Sequence, residues 1–401
     1  MKNRVACCYL THNHPEVMDE VLNHICGPYG EKGIDIYVYD SSPSGETEEI
    51  VKGYISEDLC DLHYVPVQFI KGIRGGDEKY IYVIKGNGLK GHYDYIWPTK
   101  DRCWFEGETL DRICDSFDGN YDVIFAVDER DRFELIGRPL IDVYTDPVEF
   151  FGDYGALTTN WECLIRRADT MLDPIDWSLY SSKHNVCKDN NFNQTVSTFV
   201  RLAELENSRI RVIRSNPDDK RYSNKAKPLW ISALMETWID RWIPTIYSLP
   251  DIYNGYKLNV IKTQLGHVSL FGSNDSLINM RDMGILTPER VKILSSMWEM
   301  ISRIPKENLD KIISYDEKTL FDVLYEDFIR SFKTGDYEKG YYLFIQNQWM
   351  RERFQMDKYR ILALSYYIYM MDLRRGGYSL LFDRVRDVNE LFDNFEKYSR
   401  G

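Results

Sequence analysis

Residues 93–110, YDYIWPTKDRCWFEGETL, close an aromatic and β-branched run with Lys100, Asp101 and Arg102 side by side. One carboxylate between two cations at a strand end suits an anionic ligand. Asp101 could hold a Mg²⁺ or Mn²⁺ that also takes phosphate oxygens, because Mg²⁺ keeps several waters and needs few protein ligands. Lys100 or Arg102 could instead neutralise phosphate directly, making the metal dispensable. A second acidic group, Asp128, Glu129 and Asp131, follows the next apolar run. Asp40 ends another strand-like run, GIDIYVYD, and would either meet a ligand there or cap the helix that follows. Asp189, in CKDNNF, stands before an amphipathic stretch and suits a general base or an N-cap. His184 is a lone histidine, which is either structural or near a diphosphate.

The glycine motifs carry less. GNGLKG (Gly86, Gly88, Gly91) fits GxGxxG, but the strand-like HYDYIWP follows where a dinucleotide site needs a helix. GIRGG has no GK[ST] after it, which excludes a P-loop.

The elements that must position these residues alternate in the first half. RVACCYL reads as a buried strand. The helix after it begins near Pro15, with Val17, Val21, Leu22 and Ile25 at helical spacing. GIDIYVYD and then GETEEIVKGYI repeat the pattern, so the chain opens as a parallel, doubly wound sheet. LHYVPV, YDYIWP, YDVIFAVDE and RIRVI supply further strands, and NQTVSTFVRLAEL a further amphipathic helix. Residues 214–228 gather polar and turn-forming residues, a domain boundary by composition. Beyond them the pattern is helical, as in TPERVKILSSMWEMISRI, where Thr287 is an expected N-cap and Pro288 the first helical residue. The expectation is an α/β domain over residues 1–227 and an α-helical accessory domain over 228–401, whose apolar stripes would serve a core or self-association.

The order of these segments resembles a family 2 glycosyltransferase of the GT-A fold, over roughly residues 4–213. YLTHNHPE resembles the turn that packs beneath the nucleoside, with Thr11 and Asn13 in the matching places and His12 and His14 departing from it. YVYDSSPSGETEEIV resembles the segment in which an aspartate accepts from the base edge, placing Asp40 and Ser41 at the nucleotide. YDYIWPTKD resembles the strand ending in DxD, with Thr99, Lys100 and Asp101 in place of the triplet and only Asp101 retained. That resemblance favours Asp101 over the Asp128 group for the cation, with Lys100 and Arg102 at the diphosphate. KDNNF resembles the element that carries the base, matching Asp189, with Lys188 where the family has glutamate. GALTTNWECLIRR matches the segment shaping the acceptor pocket, with Trp161 and Glu162, and His184 nearby in sequence. The helical half resembles accessory regions of transferases from bacterial surface-glycan and adhesin-glycosylation loci.

With 401 residues, 43% hydrophobic and 14% aromatic, the chain has ample material for packed cores. A net charge of -13 disfavours a general nucleic-acid binder. The eight cysteines form no CxxC and read as small buried hydrophobes, in keeping with a reduced, cytoplasmic setting. No apolar run has the length of a membrane-spanning helix. The expected activity is inverting transfer of a hexose or N-acetylhexosamine from a UDP-sugar or related nucleotide-sugar donor to a hydroxyl of a glycan or glycoprotein acceptor. The rivals are a degenerate scaffold that binds a partner transferase or glycan, and a nucleotidyltransferase, which lacks its glycine-rich loop here.

Overall fold

A computed structural model describes residues 4–67, 75–86, 88–128, 141–172, 175–184, 192–216, 218–223, 225, 235–265, 274–302, 306–314 and 330. The chain divides into two compact units, 1–264 and 265–401. The first is α/β and is built on an eight-stranded mixed sheet.

Strand β1 (Val5–Thr11) is buried along its whole length. Helix α1 (Pro15–Lys32) follows, with proline at its start and Val17, Val21, Leu22 and Ile25 buried as their spacing requires. Gly33 stops it in the left-handed conformation, φ 72°, its N–H turned back to the Gly30 carbonyl. Strand β2 (Ile34–Asp40), helix α2 (Glu46–Ile55) and strand β3 (Leu62–Pro66) step outwards in parallel. Helix α3 (Gly75–Ile84) carries the chain back across β1 to strand β4 (Tyr95–Lys100), which pairs in parallel with β1 on its other side. Right-handed crossovers in opposite directions place helices on both faces. Thus Tyr29 of α1 stacks on Trp97 from one side, while Tyr80, Val83 and Ile84 of α3 pack with Ala6, Cys8 and Ile96 on the other.

The strand order is β3-β2-β1-β4-β8-β6-β9-β7. Strands β6 (Val123–Asp128) and β9 (Ile210–Ser215) are parallel, and β8 (Leu164–Arg167) runs antiparallel between β4 and β6. The short β7 (Val143–Tyr144) closes one edge. β8 pairs with β4 only at Tyr95 and Ile96, so Pro98 lies where β8 has already left and its missing N–H costs no ladder bond on that side. A two-stranded ribbon of β5 (Cys103–Phe105) and β10 (Lys220–Tyr222) flanks the end of β4. Helix α4 (Gly107–Ser116) begins beside that ribbon. Its first turn is capped from afar by Asp219, which accepts from the Thr109 N–H and hydroxyl, both at 2.9 Å.

Helix α5 (Pro147–Tyr154) and helix α7 (Asn193–Glu204) fill the sheet's flank, with helix α6 (Trp177–His184) before α7. Helices α8 (Ile243–Ser248) and α9 (Asn254–Thr263) lie beyond the polar 214–228 stretch yet belong to the first unit, where α9 packs on α5. In the second unit, helices α10 (Asn274–Asp282), α11 (Pro288–Ile301) and α12 (Lys306–Ser314) pack on one another through residues including Leu294, Trp298, Leu309 and Ile312. Thr287 caps α11 as expected, accepting from the Arg290 N–H. The helical patterns expected from residue 315 onwards lie outside the described residues, apart from Arg330.

Candidate active site

Ligands of open parallel sheets sit outside the carboxyl ends of the strands, where the strand order reverses. In this chain that point lies between β1 and β4, and the sequence candidates gather there. The Thr11 hydroxyl donates to Asp101 Oδ2 at 3.1 Å, and His14 Nδ1 meets the same oxygen at 2.7 Å. The hydrogen bond His14 donates to Asp101 raises the His14 pKa above its ordinary value, against the pull of partial burial and of Arg102 and Lys79. His14, at the start of α1, thus binds the one carboxylate of the Lys100–Arg102 turn.

Asp40 is 2% exposed and does not cap α2, whose N-cap is Gly45. Its Oδ1 accepts from the Ser42 N–H at 2.8 Å and from the Ser42 hydroxyl, and Oδ2 accepts from Tyr64 at 3.0 Å. These bonds fix the turn after β2 and leave Oδ2 a further lone pair. Asn13 holds φ 55°, a left-handed conformation that asparagine tolerates, and its N–H donates to the Ser42 hydroxyl at 2.8 Å. His12 ties the same two turns together through the Ser41 carbonyl, 3.0 Å away.

Beneath them lies Lys79 of α3, 4% exposed, a residue the sequence reading missed. Its ammonium donates to the Thr11 carbonyl and to the Ser41 hydroxyl, the latter at 2.9 Å. It makes no ion pair with a described carboxylate. Burial pulls its pKa down to about 8, partly offset by the charges of Asp101 and Asp40. A signal existed: Lys79 shares a helix face with Val83, so helical periodicity alone puts it inward.

On the far side of Asp101, the Lys100 ammonium meets Glu162 Oε2 at 2.7 Å. Glu162 is fully buried; its Oε1 accepts from Tyr222 at 2.8 Å and faces Lys220 at 3.3 Å. Burial by itself would push its carboxyl up, but Lys100 and Lys220 outweigh it and hold it well below the usual carboxylate range. Glu162 is thus a buried counter-ion to Lys100 and Lys220. Its partners Lys220 and Tyr222 come from β10 and were not among the expected residues. Trp161 is half-buried, edge-on to Tyr80 at 5.5 Å, with the Lys100 ammonium 5.9 Å from its ring centre. Arg102 follows Asp101 in the turn to β5 and makes no ion pair with a described residue.

His184 is placed apart from this network. It leans on Tyr180, ring centres 4.6 Å apart, in a groove of about 870 Å³ lined by Tyr180, Val200, Leu249 and Asp251 among others. Asp189, the expected base, lies outside the described residues, as do Glu129, Asp131 and the Asp128 side chain.

The described residues do not fit a divalent cation. No three of His, Cys, Asp and Glu come together among them. Asp101 is engaged by Thr11 and His14 through one oxygen, and both oxygens of Asp40 by Ser42 and Tyr64. A hard cation needs several free oxygens, and this set offers few.

No family model matches the sequence, and no curated protein matches it. Similar solved structures include S. aureus TarS 1–349 in complex with UDP-GlcNAc, at 13% identity and TM-score 0.45, covering 87% of this chain and 92% of that one. Mannosyltransferase PcManGT from Pyrobaculum calidifontis, in complex with GDP-Man and Mn²⁺, aligns at 12% identity and TM-score 0.40, covering 79% and 85%. Glucosyl-3-phosphoglycerate synthase from Mycobacterium tuberculosis, in complex with Mn²⁺, UDP and phosphoglyceric acid, aligns at 12% and 0.38, covering 62% and 80%. Scores of this size are low, and the fold described above rests on this chain's own strand order and register.

Proposed function

We propose that this chain is a glycosyltransferase that moves a hexose or N-acetylhexosamine from a nucleotide-diphosphate donor, UDP foremost, to a hydroxyl of a glycan or glycoprotein acceptor. One observation carries this reading: Thr11, His14 and Asp101 are joined at the switch point between β1 and β4, with Asp40 at the end of the neighbouring β2. In this reading the nucleoside lies over the turns held by Asn13, Ser41 and Ser42, and its base edge donates to Asp40. The diphosphate lies at the Lys100–Arg102 turn. Trp161 borders the sugar and acceptor, and His184 lines a groove further out. Asp189 deprotonates the acceptor hydroxyl as it attacks the anomeric carbon from the face opposite the leaving diphosphate, which inverts the anomer. The helical part binds acceptor or a second copy of the chain, and the setting is the cytoplasm. No helix among the described residues is long and apolar enough to cross a membrane.

The test is a thermal-shift and donor-hydrolysis screen of the full chain against UDP-, GDP- and CDP-sugars. One donor class should raise the melting temperature and be slowly hydrolysed, with the released sugar's anomer read by NMR. Asp40→Asn should weaken nucleotide binding, and Asp189→Asn should lower turnover without weakening it. Stabilisation by nucleotide with no turnover of any donor would favour a binding scaffold, a reading that the loss of the DxD triplet also supports. No response to any nucleotide would end both.

A further inference from the structure

Building on the nucleotide reading above, we infer that the site takes its diphosphate without a divalent cation, the countercharge coming from Lys79, Lys100 and Arg102. The argument starts from which charges are already matched. Asp101, the one carboxylate at the end of β4, is held by His14 and Thr11. Glu162 faces two lysines, Lys100 at 2.7 Å and Lys220 at 3.3 Å, so that group keeps one unmatched positive charge. Lys79 is bonded only to neutral oxygens, the Thr11 carbonyl and the Ser41 hydroxyl. Arg102 has no described ion-pair partner.

With Asp40 counted beside Asp101 and Glu162, three carboxylates face the four cations Lys79, Lys100, Lys220 and Arg102 among the described residues around this crevice, although the chain as a whole carries -13. A diphosphate arriving there meets permanent charges with their desolvation already met by the fold. Arg102 has the planar fork that matches two phosphate oxygens, and Lys100 is aimed by Glu162 and bordered by Trp161. Lys79 lies too deep to touch the ligand; it acts through space and by holding the β1 and β2 turns together, so it is a positioning residue. As the glycosidic bond breaks, the negative charge that develops on the leaving diphosphate is met by groups that need not reorganise.

The experiment is titration calorimetry of the full chain with uridine, UMP and UDP, each in EDTA and in excess Mg²⁺ or Mn²⁺. The variants are Arg102→Gln and Lys79→Met, with circular dichroism to verify folding. UDP should bind with affinities within about threefold in EDTA and in metal, and Arg102→Gln should weaken UDP about tenfold or more while leaving uridine nearly unchanged. UDP binding that requires metal would overturn the inference and leave the nucleotide reading intact. Metal-free binding unaffected by Arg102→Gln and by Lys79→Met would overturn it too. Failure of uridine, UMP and UDP alike would remove the nucleotide reading, and this inference with it.

Discussion

Glu162→Gln isolates the buried ion cluster with the smallest change of shape. The amide keeps an oxygen for the Tyr222 hydroxyl but removes the charge between Lys100 and Lys220, whose side chains are 24% and 7% exposed. Removing one partner of a buried pair costs about 3–5 kcal/mol, because the other charge stays buried and unmatched. Lys100 can turn towards solvent, but Lys220 cannot, so the lower end, about 3 kcal/mol, is expected. With a urea m-value of about 2–3 kcal/mol/M, the midpoint should fall by about 1 M. The assay is urea denaturation by far-UV circular dichroism, following the transition of the first unit. Adding Lys220→Met removes the stranded cation, so the double variant should recover at least about 1 kcal/mol relative to additivity. The sign with pH is fixed as well. A carboxyl held below its unfolded value contributes stability above pH 4.5 that is lost as pH falls below it, and Glu162→Gln should flatten that acid limb. A single variant within about 0.5 kcal/mol of wild type would refute the reasoning, since that is the range of neutral surface changes.

Lys79→Met tests the opposite balance. A shift from 10.5 to about 8 corresponds to about 3 kcal/mol against the buried ammonium, so methionine should leave stability unchanged or raise it while UDP binding weakens; a large loss of stability would make Lys79 a strut instead. His14 has a raised pKa, so its pairing with Asp101 stabilises the fold fully below pH 6.5 and fades as pH rises through the folded value; His14→Asn should remove that slope from stability measured between about pH 6 and 9. Gly30→Ala should destabilise by about 1–3 kcal/mol in urea melts, because a Cβ there would lie 2.1 Å from the Leu59 carbonyl oxygen, and backbone cannot step aside cheaply.

Much of the first unit was legible because its signals are local. Pro15 starts α1, Thr287 caps α11, and the apolar runs ending at Thr11, Asp40 and Lys100 are strands. What escaped depends on partners far along the chain. Glu162 gave no hint of being a counter-ion, since Lys220 and Tyr222 reach it through a ribbon with β5 that no periodicity announces. Lys79 was passed over because a lysine in GGDEKYIYVI reads as solvated, although its four-residue spacing from Val83 places it on the inward face of α3. His14 was noted but given no task, because its partner Asp101 lies 87 residues away, in the turn after β4. His184 read as either structural or near a diphosphate, and the groove it lines with Tyr180, Val200, Leu249 and Asp251 is formed by residues that no local pattern brings together.

The β5–β10 ribbon sets the order in which this protein can become competent as it is made. The turn after β4 is secured by residues synthesised far later: Ser223 donates to the Arg102 carbonyl, Glu106 to the Asp219 carbonyl, and Lys220 pairs with Phe105. While the chain emerges from the ribosome, all of β1 to β4 has been made by Lys100 and can pair, but Lys100, Asp101 and Arg102 wait for a segment more than a hundred residues downstream. Until then Glu162 also lacks two of its three partners. A nascent chain arrested before Lys220 should therefore hold a folded β1–β4 layer that does not recognise its ligand, and recognition should appear within a few residues of chain growth.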